Sequence, residues 1–216
     1  MDGIILQFID IILHLDKHLP DIMAAYGSFI YCILFMVVFC ETGLVVTPFL
    51  PGDSLLFACG ALAAASPESM NITVLVMLFL VSSVLGDACN YMIGEKFGDA
   101  LLKANTKLIK PEHVEKASAF YEKHGHKAIF LARFAPIVRT FAPFVAGIGK
   151  MHYTTFAKYN VIGAIVWVGL FVGGGYFFGN IPVIKRNFTY VTLGIVIFSL
   201  LPIIYETVGK KLLNKK

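Results

Sequence analysis

From Ile72 to Ile93 the chain runs 22 residues with one formally charged side chain, Asp87. Two further apolar runs, Val161–Phe178 and Phe188–Ile204, carry none. About 20 apolar residues in a helix cross the ~30 Å hydrocarbon layer of a bilayer. The rest of the composition agrees: 57% of the 216 residues are hydrophobic and 15% are charged, with a mean hydropathy of +0.76. A soluble domain carries about 25% charge, so there is too little here to coat one. The chain is expected to be an integral membrane protein. No cleavable signal peptide is expected, because the first twenty residues lack a basic leader and a small-residue cleavage site.

Ile4, Phe8, Ile11, Ile12, Leu15 and Leu19 recur at helical spacing. They predict an amphipathic helix over 3–19, lying in the membrane interface or packed along the bundle. Spanning helices are predicted over 24–44, 72–95, 159–178 and 188–208. Thirteen of the 18 basic residues fall in 96–127, in 150–158 and in the tail 209–216. The positive-inside rule puts those segments in the cytoplasm. The connector 96–127 reads as polar, with a solvated helix over Lys110–Lys127 that Pro111 would open. Its lysines are dispersed among acids, which excludes a nucleic-acid surface. Cys32, Cys40, Cys59 and Cys89 sit in apolar stretches without metal-ligand spacing. Neither a metal site nor a cofactor is expected.

Two segments break the pattern. Pro48, Pro51 and Gly52 cannot continue a helix, and the apolar run Leu55–Ala65 that follows is too short to cross. A re-entrant hairpin over 45–66 is predicted. Pro136 and Pro143 interrupt 128–149 in the same way and predict a second. An offset of 85 residues aligns Pro51 with Pro136, Tyr91 with Tyr176 and Gly94 with Gly179. The expected fold is a single all-α transmembrane domain over 1–216. It is an inverted repeat of re-entrant helical hairpin plus transmembrane helix, with an extra transmembrane helix at the C-terminus. Irregular backbone at membrane depth survives only inside protein or beside a wet cavity, and transporters place substrate where such broken helices meet.

The charges cluster at these breaks. Glu41 and Asp53 flank the first, and Arg133 and Arg139 flank Pro136. A charge at mid-bilayer costs at least roughly 2.5–3.5 kcal/mol. Asp53 has a local role available as the N-cap of the following helix, and Glu41 one as an interfacial residue. The arginines have theirs in snorkelling or in pairing with the two acids. The functional reading is an anion site: guanidinium groups match phosphate oxygens bidentately, while the two carboxylates exchange protons. Asp87, Pro48, Pro51, Gly52, Pro136, Thr140 and Pro143 are candidate cavity residues. Asp87 reads equally as a hydrogen-bonded packing residue. Trp167 and Tyr176 read as packing or interface anchors, and Gly173, Gly174 and Gly175 as a close-approach run.

Three motifs carry a resemblance to a known family. They are Phe39-Cys40-Glu41-Thr42-Gly43-Leu44, Pro48-Phe49-Leu50-Pro51-Gly52-Asp53-Ser54, and the stretch from Ala132 through Arg133, Pro136 and Arg139 to Pro143 with Ala146-Gly147. Phe120–Gly125 and Tyr159–Gly163 extend it. The chain resembles the DedA family of membrane proteins. The resemblance implies translocation of polyprenyl phosphate or phospholipid coupled to the proton-motive force. It assigns the essential acids and bases to Glu41, Asp53, Arg133 and Arg139. On this reading the protein is a proton-coupled flippase of the bacterial inner membrane with a cytoplasmic C-terminus, and not an enzyme. Its substrate is undecaprenyl phosphate or a phospholipid, and its other partners are protons and the bilayer. A homo-oligomer is compatible with the sequence. The alternatives are an intramembrane lipid phosphatase, a cation–proton antiporter and a non-catalytic assembly protein.

Overall fold

Polar side chains point inward and apolar ones outward along the two longest helices, the reverse of a soluble protein. A computed structural model describes residues 25–44, 52–103, 111–187, 190, 191, 193 and 194, all-helical in its regular structure. The elements are α1 (Ile30–Gly43, led in by a 3-10 turn at Gly27–Phe29), α2 (Gly52–Ala65), α3 (Ile72–Lys103), α4 (Pro111–His124), α5 (Ala128–Ala132), α6 (Pro136–Ile148), α7 (Tyr153–Phe178) and α8 (Pro182–Arg186). The predicted helix 3–19, Pro48 and Pro51, the last span 188–208 apart from those four residues, and the tail 209–216 lie outside the described residues.

Ile72–Gly98 and Tyr153–Phe178 are long and apolar enough to cross a membrane. On α3 the exposed side chains include Val74, Met77, Val81, Leu85 and Met92, while Ser82, Ser83, Asp87 and Asn90 are buried. On α7 the exposed face carries Val161, Ile162, Ile165, Val166 and Leu170 over a buried Asn160. Water would reject the outer faces and hydrocarbon accepts them. Asn71 opens α3 as its N-cap: its Oδ1 accepts the backbone N–H groups of Thr73 at 2.9 Å and Val74 at 3.2 Å. At 32 residues, α3 reaches about 48 Å, so it continues past the expected end at 95 and into the polar connector. α7 begins at Tyr153, six residues ahead of the expected 159.

The remaining apolar helices are short. α1 with its lead-in covers Gly27–Gly43, about 25 Å, and residues 25 and 26 ahead of it are helical too, all within the expected 24–44. α2 has 14 residues, about 21 Å. The 128–149 segment is broken once, between α5 and α6, where Pro136 occupies the first turn of α6. Pro143 lies inside α6, and the helix continues through it to Ile148. The expected second interruption is therefore absent: one proline removes a single backbone donor, and the packing of α6 along α3 holds the helix together.

The short helices pack crosswise. α2 lies along α7, α6 along α3, and α1 crosses α3. Gly43 and Gly86 set the α1–α3 crossing: a Cβ on Gly43 would come 3.2 Å from the Gly86 Cα. Of the three-glycine run only Gly175 is needed, because a Cβ there would strike the Phe57 backbone, whereas Gly173 faces nothing within 4 Å. Two apolar clusters form. One contains Ile30, Leu34, Leu56, Leu75, Phe79, Trp167 and Val172; the other contains Tyr91, Ile129, Ala142 and Phe156. Along α3 the chain leaves the first cluster at Phe79 and joins the second at Tyr91. Along α7 it leaves the second at Phe156 and joins the first at Trp167. The two long helices thus run in opposite senses between the clusters, and the polar residues of each fall in the interval.

Candidate functional site

Five elements deliver charged or polar groups to that interval. The last turn of α1 brings Glu41 and Thr42, and the first turn of α2 brings Asp53. The middle of α3 brings Asp87 and Asn90, and the α5–α6 break brings Arg133 and Arg139. α7 brings Asn160 from its first half and Trp167 from just past its midpoint. The break follows from local chemistry. A residue before proline is pushed out of the helical region, and Ala135 is extended at φ −122° and ψ 102°. Pro136 then starts α6, where its missing N–H has no helical partner to lose. Arg133 is left at the end of one helix, and Arg139 enters the first turn of the next.

The charged groups divide into two cells. In the first, the two arms of the Arg139 guanidinium hold two acids: Nη1 donates to Asp53 Oδ1 at 2.9 Å, and Nη2 donates to Glu41 Oε1. In the second, Arg133 Nη2 donates to Asp87 Oδ2 and to Asn160 Oδ1, both at 2.6 Å. Asn160 is itself fixed, because its Nδ2 donates to the Val84 carbonyl at 3.1 Å. Asn90 ties the frame together: its Nδ2 bridges the carbonyls of Thr42, at 3.1 Å, and Thr140, at 2.7 Å. Trp167 stands between the cells, its Nε1 donating to Asp53 Oδ1 at 2.8 Å.

Burial sets the energetics. Glu41, Asp87, Arg133 and Arg139 are all less than a tenth exposed. The Asp53 side chain, at 16%, is the most accessible of the five charged groups. Isolated ions this deep would each cost several kcal/mol of desolvation, and good pairing offsets much of that. The pairing is uneven, with three carboxylates facing two guanidinium groups. With every group ionised, the site carries one uncompensated negative charge, and one proton neutralises it. Several buried polar atoms have no hydrogen-bond partner among the described residues: Glu41 Oε2, Ser54 Oγ, Asp87 Oδ1, Asn90 Oδ1 and Arg133 Nε. They give the site unused capacity to bond another polar group.

Small residues make the room. A Cβ on Gly52 would overlap the Glu41 carboxylate, so only glycine lets α2 start there. A Cβ on Gly163 would lie 2.8 Å from Arg133 Cδ, so the Arg133 stem crosses α7 at that glycine.

Of the sequence-predicted residues, Glu41, Asp53 and Arg139 are in direct contact, and Gly52 lies against Glu41. Arg133 pairs with Asp87 instead of with the two outer acids. Asp53 is the second residue of α2, inside its first turn and not at the N-cap position expected for it. Thr140 reaches the site through its backbone carbonyl, Pro136 through the helix break, and Pro143 only as a residue within α6. Trp167 is 1% exposed and bonded to a site carboxylate, which overturns its reading as an interface anchor. Sequence reasoning missed Asn160 and Trp167 as site residues and used Asn90 only to describe the surroundings of Asp87. The signal for the asparagines was an amide inside an apolar run, where an unpaired amide would cost roughly 1–3 kcal/mol. Among the described residues no group of three His, Cys, Asp or Glu side chains is placed to hold a metal ion.

Residues 50–177 match the VTT domain family. The chain is 53% identical to Protein DedA of Escherichia coli over 204 residues, covering 94% of this chain and 93% of that protein. It is 43% identical to an uncharacterized membrane protein of Mycobacterium leprae over 168 residues, 77% of this chain and 74% of the relative. It is 32% identical to Inner membrane protein YqjA of E. coli over 158 residues, 73% of this chain and 71% of that protein. No solved structure matches the chain.

Proposed function

The chain belongs to the VTT-domain, DedA family of membrane proteins, and from that premise we propose that it is a proton-motive-force-dependent lipid carrier. Its cargo is a phosphate-bearing lipid, undecaprenyl phosphate or a phospholipid, moved between leaflets of the bacterial inner membrane. The observation that carries this reading is the double hold on Arg139 by Glu41 and Asp53. Two carboxylates already hold both terminal nitrogens of this guanidinium and more than offset its charge, so a phosphate has to displace one of them. Protonating either acid releases an arm, and a phosphate oxygen bonds it bidentately with the next donor. Phosphate and proton then enter together, since each removes the obstacle to the other. Where the proton leaves, the carboxylate regains Arg139 and expels the phosphate. Arg133, held on Asp87, adds a second positive charge beside the headgroup, and the apolar lipid tail stays against the outer faces of α3 and α7.

The crosswise packing of α2 on α7 and α6 on α3 supports two intertwined halves of opposite orientation, each a re-entrant hairpin followed by a spanning helix. That arrangement brings broken helices from both sides to one midplane site. The basic segments give a multi-pass protein with a cytoplasmic C-terminus. The relative named an inner membrane protein supports the location.

The test is purified protein in liposomes with a leaflet-resolved assay for polyprenyl phosphate and phospholipids, with and without a pH gradient. The expected result is transport that the gradient accelerates and Arg139→Ala abolishes. Transport of equal rate in Arg139→Ala would remove the arginine from the mechanism. Released inorganic phosphate would instead identify a lipid phosphatase, and cation-dependent proton flux without lipid an antiporter.

A further inference from the structure

Trp167 is the one tryptophan in the chain, and it touches three of the five charged groups. Its Nε1 bonds Asp53 Oδ1 at 2.8 Å, and the same oxygen takes Arg139 Nη1 at 2.9 Å. Its ring lies 4.7 Å from the Arg139 guanidinium carbon and 6.0 Å from that of Arg133. Both distances are within cation–π range, and a desolvated site strengthens the attraction. Trp167 is therefore in contact with both cells.

We propose that Trp167 is a positioning residue that holds the Asp53 carboxylate against Arg139 and keeps both guanidinium planes in place when the ion pairs open. What it positions rests on the phosphate-and-proton reading above; the contacts themselves do not. An indole N–H only donates, so it bonds an ionised oxygen more strongly than a protonated one. Opening of the Asp53–Arg139 pair leaves the ring face under Arg139, so the freed guanidinium stays aimed at the site. A purely packing role, as in the edge contact with Phe171, needs the ring but not the N–H.

Because there is one indole, the intrinsic emission of the purified protein reports this contact directly. Among the described residues, the groups facing Asp53 include Arg139 from α6, Glu41 from α1 and Trp167 itself from α7. Asp53→Asn is expected to shift the emission relative to the wild type, because the oxygen that the indole N–H bonds loses its charge. Glu122→Gln, exposed on α4, should follow the wild type. Asp53→Asn emission that superimposes on the wild type at every pH overturns the proposal. In liposomes Trp167→Phe, which keeps a ring and loses the N–H, should slow transport by the protein that remains folded about tenfold, and should lower the melting temperature as the loss of one hydrogen bond to a buried charged group does. Wild-type transport in Trp167→Phe also overturns it. If no form of the protein moves lipid phosphate but Asp53→Asn changes the emission, the transport reading fails and the positioning contact stands.

Discussion

The two arginine cells differ in three ways: partners, balance and access. Arg133 meets one acid and one neutral amide, all deeply buried, and its charge is matched by Asp87 alone. Arg139 meets two acids, one of them the most accessible charged group of the site. A matched, sealed pair has no excess charge for a proton to neutralise, so the structure of the Arg133 cell suits holding α3, α5 and α7 together. An over-supplied, partly open pair is poised to exchange a partner. Charges alike in sequence, both at a proline break in the same segment, are thereby given different work by what crosses them.

The largest expected effect separates the cells by stability. Arg133→Ala strands Asp87 and the Asn160 oxygen and should cost about 3–5 kcal/mol, read as a large drop in melting temperature in detergent. The double variant Arg133→Gln with Asp87→Asn should recover much of it. A melt like the wild type for Arg133→Ala would erase the distinction between the cells. Next, Arg139→Lys should keep the fold and slow transport about 10–100-fold, since one ammonium cannot reproduce the two-armed hold. Undiminished transport in that variant would mean that a point charge suffices. Asn160→Ala removes a hydrogen bond to a buried cation and should cost about 1.5–3 kcal/mol of stability, whereas Leu85→Met on the lipid-facing side of α3 should stay within ~0.5 kcal/mol. Equal losses from the two would place Asn160 outside the cell that holds the helices together.

Gly163→Ala sharpens the same contrast. Its Cβ would press on the Arg133 stem, and overpacking of this kind costs about 1–3 kcal/mol. Gly173→Ala, one helix face away with open space around it, should be silent in the melt.

Much of this was legible in the chain. The apolar runs over 72–93 and 161–178 marked the two long helices, and Pro136 marked the break between α5 and α6, because hydrocarbon tolerates neither charge nor unpaired backbone. The four charges at the breaks were legible for the same reason. The pairing was not. Local spacing fixes which residues share a helix turn, but Arg133 meets Asp87 because its stem crosses α7 at Gly163 and its guanidinium reaches α3, and no periodicity encodes a crossing. Pro143 misled because a proline lowers helix propensity without deciding the outcome when tertiary packing is strong. Trp167 misled because an aromatic residue on a spanning helix has the same signature whether it anchors at the interface or bonds a buried acid.

Competition between carboxylates and phosphate for Arg139 can be measured as protons taken up when phosphate binds. Calorimetric titration of the purified protein with a short-chain prenyl phosphate, in buffers of different ionisation enthalpy, gives that number directly. Net uptake in the wild type that disappears in Glu41→Gln with Asp53→Asn is the expected result. Tight binding with the same proton balance in both proteins would mean that the acids and the phosphate do not share the arginine.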